Sequence, residues 1–271
     1  MIFLQKCYII KWVITVSRLF TNTIKTENIT FRHARGASIE QGKEFHTYHE
    51  IILFLEGDAR LITEELNLDI APNSLVVIPK ENYHQLIIKS NQEDYYRMVI
   101  NFTDSLPFAP LVQDSMTQVM ILEAERKIYH IMESLAEKVT HPHKEALLQA
   151  TLALLLGEIT NLKEGFCDTP SQHPLIKQAV EYINSNLDKR LTIKAIALDC
   201  HCSPSALSHI FRKEMNIPLH QFIIKKRLIA ANRQIKAGQA ATTSAISLGF
   251  NDYSGFYKQY VKMFGHPPSK K

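Results

Sequence analysis

At 271 residues, 45% apolar and 21% charged, the chain has ample core for one large or two medium domains, and its balance excludes a disordered or membrane-embedded protein. Its net charge of +4 hides an asymmetry: Gln172 onward carries 15 Lys+Arg against 5 Asp+Glu, the part before it 16 against 22. A basic part joined to an acidic one is the electrostatic footprint of a polyanion binder with a separate partner module.

The first twenty residues are rich in Ile, Val and Phe, but Lys6, Lys11 and Arg18 cut them into runs too short to span a bilayer. No apolar core with a small-residue cleavage site follows, so residues 1–23 read as an N-terminal arm rather than a secretory signal. The cysteines Cys7, Cys167, Cys200 and Cys202 are scattered, which suggests a reducing, cytoplasmic setting. Cys200-His-Cys202 lacks a second ligand pair at finger spacing and reads as small apolar residues in a helix-helix turn.

Residues 24–104 alternate in short apolar runs: Ile51–Leu55, Ser74–Ile78, Gln85–Ile88 and Arg97–Phe102, with Glu-Gly-Asp58 and Pro-Lys-Glu-Asn82 among the turns. Strands spaced near ten residues predict a small antiparallel barrel or jelly roll. From Ser115 the period changes, and Met120, Ile121, Ala124, Ile128, Ile131, Met132, Leu135 and Val139 predict one amphipathic helix. Pro142 breaks it. A second helix, Lys144–Leu162, is apolar on most faces and suits a barrel wall or a homodimer seam. Glu164–Pro174 has no periodicity and marks a linker over 164–173.

The remainder, 174–271, reads as helical. Leu175, Ile176, Ala179, Val180, Ile183 and Leu187 line a supporting helix. Thr192 is placed to cap the next helix, through Asp199, and His201 sits in a turn that calls for left-handed backbone. Ser203 caps a further helix with Pro204 at its first position. Leu207, Ile210 and Phe211 share one face of it; Ser205, Ser208, His209 and Arg212 share the other. Small polar side chains near a helix N-terminus let the backbone approach a groove and bond base edges. Ile223–Ala237 predicts a connector helix ending at Gly238, with Lys225, Lys226 and Lys236 on a solvated face. A second turn follows at Gly249-Phe250, with a helix from Asn251.

The ordered series Ser203-Pro-Ser-Ala-Leu-Ser-His-Ile-Phe-Arg-Lys213, Lys226-Arg-Leu-Ile-Ala-Ala231, Leu248-Gly-Phe-Asn-Asp-Tyr-Ser-Gly-Phe256 and Phe264-Gly-His-Pro-Pro-Ser269 resembles the AraC/XylS family of transcriptional regulators. The resemblance covers about residues 174–269 and implies two helix-turn-helix units entering adjacent major grooves. It implies DNA contact by Ser203, Ser205, Ser208, His209 and Arg212, and by Asn251, Tyr253, Ser254, Tyr257 and Lys258. The second unit departs from the pattern, with Ala241 and Ser244 where large apolar residues are usual and Gly255 inside its reading helix. That predicts a second unit marginal on its own.

The segment from Phe45 to His84 resembles the cupin-like N-terminal domain common in that family, giving an α+β chain with an antiparallel barrel and dimerisation helices over 24–163. His46, His49, Glu50 and His84 resemble a cupin metal set, but His46 and His49 would face opposite ways on a strand and the His-x-His pair is absent. No metal or cofactor is therefore expected. Tyr48, Glu50, His84 and Tyr96 are the candidate contacts for a small-molecule effector. The expected partners are double-stranded promoter DNA, the effector, RNA polymerase contacted by an activator, and a second copy of the chain; no membrane is expected. The rival readings are a metal-dependent cupin enzyme anchored to DNA and a regulator controlled by a protein partner.

Overall fold

The computed structural model describes residues 20–36, 45–89, 94–112, 117–121, 126–136, 141–162, 172–189 and 191–269. The arm through residue 19, most of the linker, Cys7, Cys167, Ala124 and Val139 lie outside the described residues.

Among the described residues nine strands form: β1 Phe20–Lys25, β2 Ile29–Arg35, β3 His49–Glu56, β4 Ala59–Thr63, β5 Asn67–Ile70, β6 Ser74–Ile78, β7 His84–Ile88, β8 Tyr96–Phe102 and β9 Gln118–Ile121. They pair antiparallel in two sheets, ordered β1-β2-β8-β3-β6-β9 and β5-β4-β7. The expected barrel is corrected here: among the described residues no closed barrel forms. The smaller sheet packs Leu61 and Leu86 against the larger one and turns Ile62 to the helices, and no strand ladder joins the two sheets.

Helices α1 Arg126–Ala136 and α2 Lys144–Asn161 cover the outer face of the larger sheet. The period-2 rule then sorts β3. Ile51, Leu53 and Leu55 pack toward Met132, Leu152 and Leu156, while Ile52 and Phe54 pack toward Leu61 and Leu86 of the smaller sheet. Burial on both faces explains why Ile51–Leu55 is a continuous apolar run rather than an alternating one. The single helix expected from Met120 is also corrected. Met120 and Ile121 belong to β9, whose pairing with β6 satisfies that strand's open edge. Val119 is buried between the sheets, so sheet pairing overrides the helical spacing.

Six more helices follow: α3 Pro174–Ser185, α4 Ile193–Asp199, α5 Pro204–Met215, α6 Leu219–Lys236, α7 Ala241–Ser247 and α8 Tyr253–Phe264. The connector α6 begins four residues before the expected Ile223, because Pro218 already supplies the extended residue ahead of it. The helical region has two cores. One joins α3, α4, α5 and the start of α6, with Ile176, Ile183, Ile196, Leu207, Phe211 and Phe222 fully buried. The other joins the end of α6 to α7 and α8 through Leu228, Ile235, Leu248, Phe256 and Tyr260. Ile62 and Tyr83 from the β layers enter the first core, so the smaller sheet is sandwiched between the larger sheet and the helices. Among the described residues no helix is long and apolar enough to cross a membrane.

Candidate nucleic-acid interface

Both helices of the first unit start on a side-chain cap. Thr192 accepts from the Ala195 N–H at 3.1 Å and starts α4; Ser203 accepts from the Ala206 N–H at 3.1 Å and starts α5. His201 in the turn between them has φ 50, the left-handed backbone its position called for. In the second unit the turn residue is Gly249, φ 74, where the left-handed region suits a residue without Cβ. A Cβ there would stand 2.9 Å from the Arg227 guanidinium.

Burial splits α5 by face. Leu207, Phe211 and Met215 are buried, while Ser205, His209 and Arg212 are exposed. Ser208 is half-buried, and its hydroxyl donates to the Pro204 carbonyl at 2.8 Å. The hydroxyls of Ser203 and Ser208 thus have bonds within the chain, whereas Ser205, His209 and Arg212 are turned to solvent. On α8, Phe256 and Tyr260 are buried; Asn251 just before the helix, and Tyr253, Ser254, Tyr257 and Lys258 on it, are exposed. The spacing read from sequence therefore corresponds to a polar exposed face on each helix.

Gly255 corrects the cost expected of it. It stands in the first turn of α8, where Asp252 folds over as the cap and accepts its N–H at 2.6 Å. A Cβ there would meet the Asp252 carboxylate at 3.0 Å. This cap escaped the sequence reading, although Asn251-Asp252 ahead of a helix is a recognisable signal. Two large apolar residues were missed as well. Leu198 near the end of α4 and Ile246 near the end of α7 are 78% and 75% exposed, at matching places in the two leading helices.

The solvated face expected for the α6 lysines holds only for Lys236. Lys226 donates to both Glu64 oxygens at 2.8 and 3.1 Å, with side-chain exposures of 13% and 4%. Glu64 also accepts from the Tyr83 N–H and from the Asn184 amide. Lys225 lies over the Phe45 ring at 5.2 Å. Further bonds join the β layers to the first unit. Tyr83 Oη donates to the Met215 carbonyl at 2.7 Å, the Asn216 amide donates to Gln85 at 2.9 Å, and the Asn67 amide donates to Glu214 at 3.0 Å. Burial pushes the Tyr83 hydroxyl well above its usual range, so it stays a donor. Gln172, at the end of the expected linker, is buried and donates to the Thr63 carbonyl at 3.0 Å. These partners come from distant stretches and carry no local signal.

A cleft of about 500 Å³ lies between Phe45, His46 and Tyr48 on one side and α6 and α8 on the other. Lys225 and Lys262 supply cationic groups to it, Gln221 and Gln259 supply amides, and Ile224, Leu228 and Met263 supply an apolar wall. The four expected effector residues divide. Tyr48 lines this cleft, stacked on His46 at 3.8 Å. Glu50 and His84 lie together behind it, His84 Nε2 being 3.0 Å from the Glu50 carboxylate. Burial would raise the Glu50 carboxyl, but the flanking His46 and His84 rings hold it well below the usual carboxylate range. Tyr96 is elsewhere. It lies toward the other end of the β3–β8 ladder from Glu50, whose partner is Asn101, about 17 Å along the strand. There it bonds His33 at 2.7 Å under the Arg35 guanidinium.

The match with known proteins falls on these elements. A family model described as a helix-turn-helix domain matches residues 196–271. "Probable transcriptional regulator LumQ" of Photobacterium leiognathi is 21% identical over 87% of this chain and 94% of its own length. The Msm operon regulatory protein of Streptococcus mutans is 24% identical over 87% of each chain. The solved structure of ToxT from Vibrio cholerae covers 93% of this chain and 96% of its own at 13% identity, with a TM-score of 0.39. Paired capped helices, a bridging α6 and similarity to transcriptional regulators along most of their length lead to one assignment: residues 196–271 are an AraC-type helix-turn-helix domain, in a DNA-binding transcription regulator.

Proposed function

We propose that α5 and α8 read two successive faces of one promoter site, through Ser205, His209 and Arg212 in the first unit and Tyr253, Ser254, Tyr257 and Lys258 in the second. The observation that carries this is the matched exposure of a polar face on both capped helices, joined by one helix, α6. Base-edge contacts would set the choice of site, and lysine and arginine contacts to phosphate would set most of the affinity. The division into a β-rich sensing part over 24–163 and a DNA-binding part over 174–271 belongs to this reading. So do the cytoplasmic setting, contact with RNA polymerase, and action by binding rather than catalysis.

The effector site fits the cleft between Tyr48 and α6/α8, where two lysines face an apolar wall. That chemistry suits a small organic anion with an apolar body. A ligand there would bear on both reading units through α6 and α8 and shift the balance between their arrangements. A homodimer through α1 and α2 is supported by Leu154, a large apolar side chain 53% exposed on α2. The test is selection of bound genomic fragments by the full chain, followed by titration across salt concentrations. Specific binding should fall steeply with salt, and His209→Ala should relax discrimination at one half of the site. Salt-independent binding, or unchanged discrimination in His209→Ala, would sink the reading.

A further inference from the structure

The geometry points to a divalent transition-metal site formed by His46 Nε2, His84 Nε2 and Glu50. Their ligating atoms lie within 4.8 Å of one another, and all three residues are buried. His46 precedes β3, Glu50 is the second residue of β3 and His84 opens β7, so the cluster ties the two sheets together.

The orientation of the rings carries the inference. His46 Nδ1 is 2.8 Å from the Tyr48 carbonyl, and His84 Nδ1 is 3.3 Å from the Asn82 carbonyl. A carbonyl only accepts, so each Nδ1 donates to one, and each Nε2 faces Glu50 either as an N–H when the ring is protonated or as a lone pair when it is neutral. Both Nε2 atoms are turned toward Glu50 Oε2, at 3.5 Å from His46 and 3.0 Å from His84. With both rings neutral, three Lewis bases converge in a buried space, where a metal ion takes the place of the protons that otherwise link each Nε2 to Glu50. A cation between them satisfies all three. A histidine that donates its far N–H to a backbone carbonyl is also the usual outer-shell arrangement of a metal-bound imidazole.

The two separations from Glu50, 3.5 and 3.0 Å, fit one ion. Ligands about 2.1 Å from a common metal stand about 3.0 Å apart at right angles and about 3.4 Å apart at the tetrahedral angle. Two imidazoles and one carboxylate suit zinc, iron, manganese, cobalt or nickel rather than calcium or magnesium. Three protein ligands leave at least one coordination position for water or a small ligand. His49, the other histidine of the segment, is not part of the set: its Nε2 is 2.7 Å from Asp104, and its Nδ1 accepts from the Lys80 N–H. The sequence objection to a His46–His49 pair therefore stands, and His84 supplies the second imidazole from another strand.

The full chain, stripped with a chelator, should bind one Co²⁺ or Zn²⁺ per chain, and the cobalt form should show visible ligand-field bands. Glu50→Gln and His84→Gln should each weaken binding at least about tenfold. His49→Gln should bind as the parent does. X-ray absorption on the unsubstituted zinc-loaded chain needs no variant to fold, and should give a first shell of nitrogen and oxygen with imidazole scattering. Absence of stoichiometric binding to the folded chain would overturn the inference. So would binding that survives the Glu50→Gln/His84→Gln double substitution, or a shell of oxygen alone or of thiolate.

Discussion

The two helix-turn-helix units share a plan but are supported differently. In the first, Thr192 and Ser203 cap both helices, the core is filled by Ile196, Leu207 and Phe211, and the β layers brace α5 at Met215 and Asn216. In the second, α7 begins at Ala240 with no side-chain cap, and small residues, Ser244 and Ala245, fill its buried positions. Its support comes from α6, through Leu228 and Ile235 and through the buried bond from Tyr260 Oη to Asn232 at 2.7 Å. Reading surface and supporting core are thus separable quantities. The two exposed faces are alike, whereas the stability behind them is not.

The largest expected effect strikes the bracing of the first unit. Lys226→Ala leaves the Glu64 carboxylate buried without its ion partner, which costs about 3–5 kcal/mol. Urea unfolding should show that loss, with part of it recovered when Glu64→Gln is added. A midpoint unchanged by Lys226→Ala would mean that the pair does not hold the β layers to the helices. Next in size is Arg227, which spans the two units. Its guanidinium donates to the Gly249 carbonyl at 3.1 Å and to the Lys189 carbonyl, just after α3, at 3.0 Å. Arg227→Ala should cost about 2 kcal/mol. Amide exchange should then speed up in α7 and α8 and leave α4 and α5 protected. Equal loss of protection in both units would erase the distinction between them.

How much of this was legible depended on how far apart the partners lie in the chain. Caps, turn residues and faces are local. Thr192, Ser203, Pro204 and left-handed His201 were therefore readable, as were four of the six strands between His49 and Phe102. Features decided by a distant partner were not. Met120 and Ile121 have helical spacing but pair with β6, and Lys226 has the spacing of a solvated face but meets Glu64, 162 positions earlier. The expected effector set failed to assemble for the same reason: Tyr96 and Glu50 lie on neighbouring strands at opposite ends of the ladder. His46 precedes β3 of the larger sheet while His84 opens β7 of the smaller one, and no spacing announces their meeting at Glu50.

Acid bears on the β layers through a histidine that burial depresses. Burial lowers the His33 imidazole, with Glu133 of α1 opposing the shift and Arg35 of β2 adding to it; Tyr96 of β8 is its hydrogen-bond partner. A histidine depressed in the folded state binds more protons when unfolded. Stability is therefore full above the unfolded value of about 6.5 and is lost as pH falls from there toward the folded value. Denaturation midpoints should drop between pH 7.5 and 5.5, and His33→Gln should flatten that slope. An equally steep slope in His33→Gln would place the acid sensitivity elsewhere.

The smallest effect is the sharpest probe of the contrast, because it should raise stability. Ser244 is fully buried in α7, and its hydroxyl has no hydrogen-bond partner. An unsatisfied buried hydroxyl costs about 1–3 kcal/mol, and Ala also has the better helix propensity. Against this, Ala leaves a small void where the oxygen stood, so the net gain for Ser244→Ala should be about 1 kcal/mol. The gain belongs to the second unit alone. It should appear as slower amide exchange in α7 and α8, while α4 and α5 and the discrimination at His209 stay as they were. If Ser244→Ala destabilises the chain, the hydroxyl has a bond in solution, and the second unit is less thinly supported than its small residues imply.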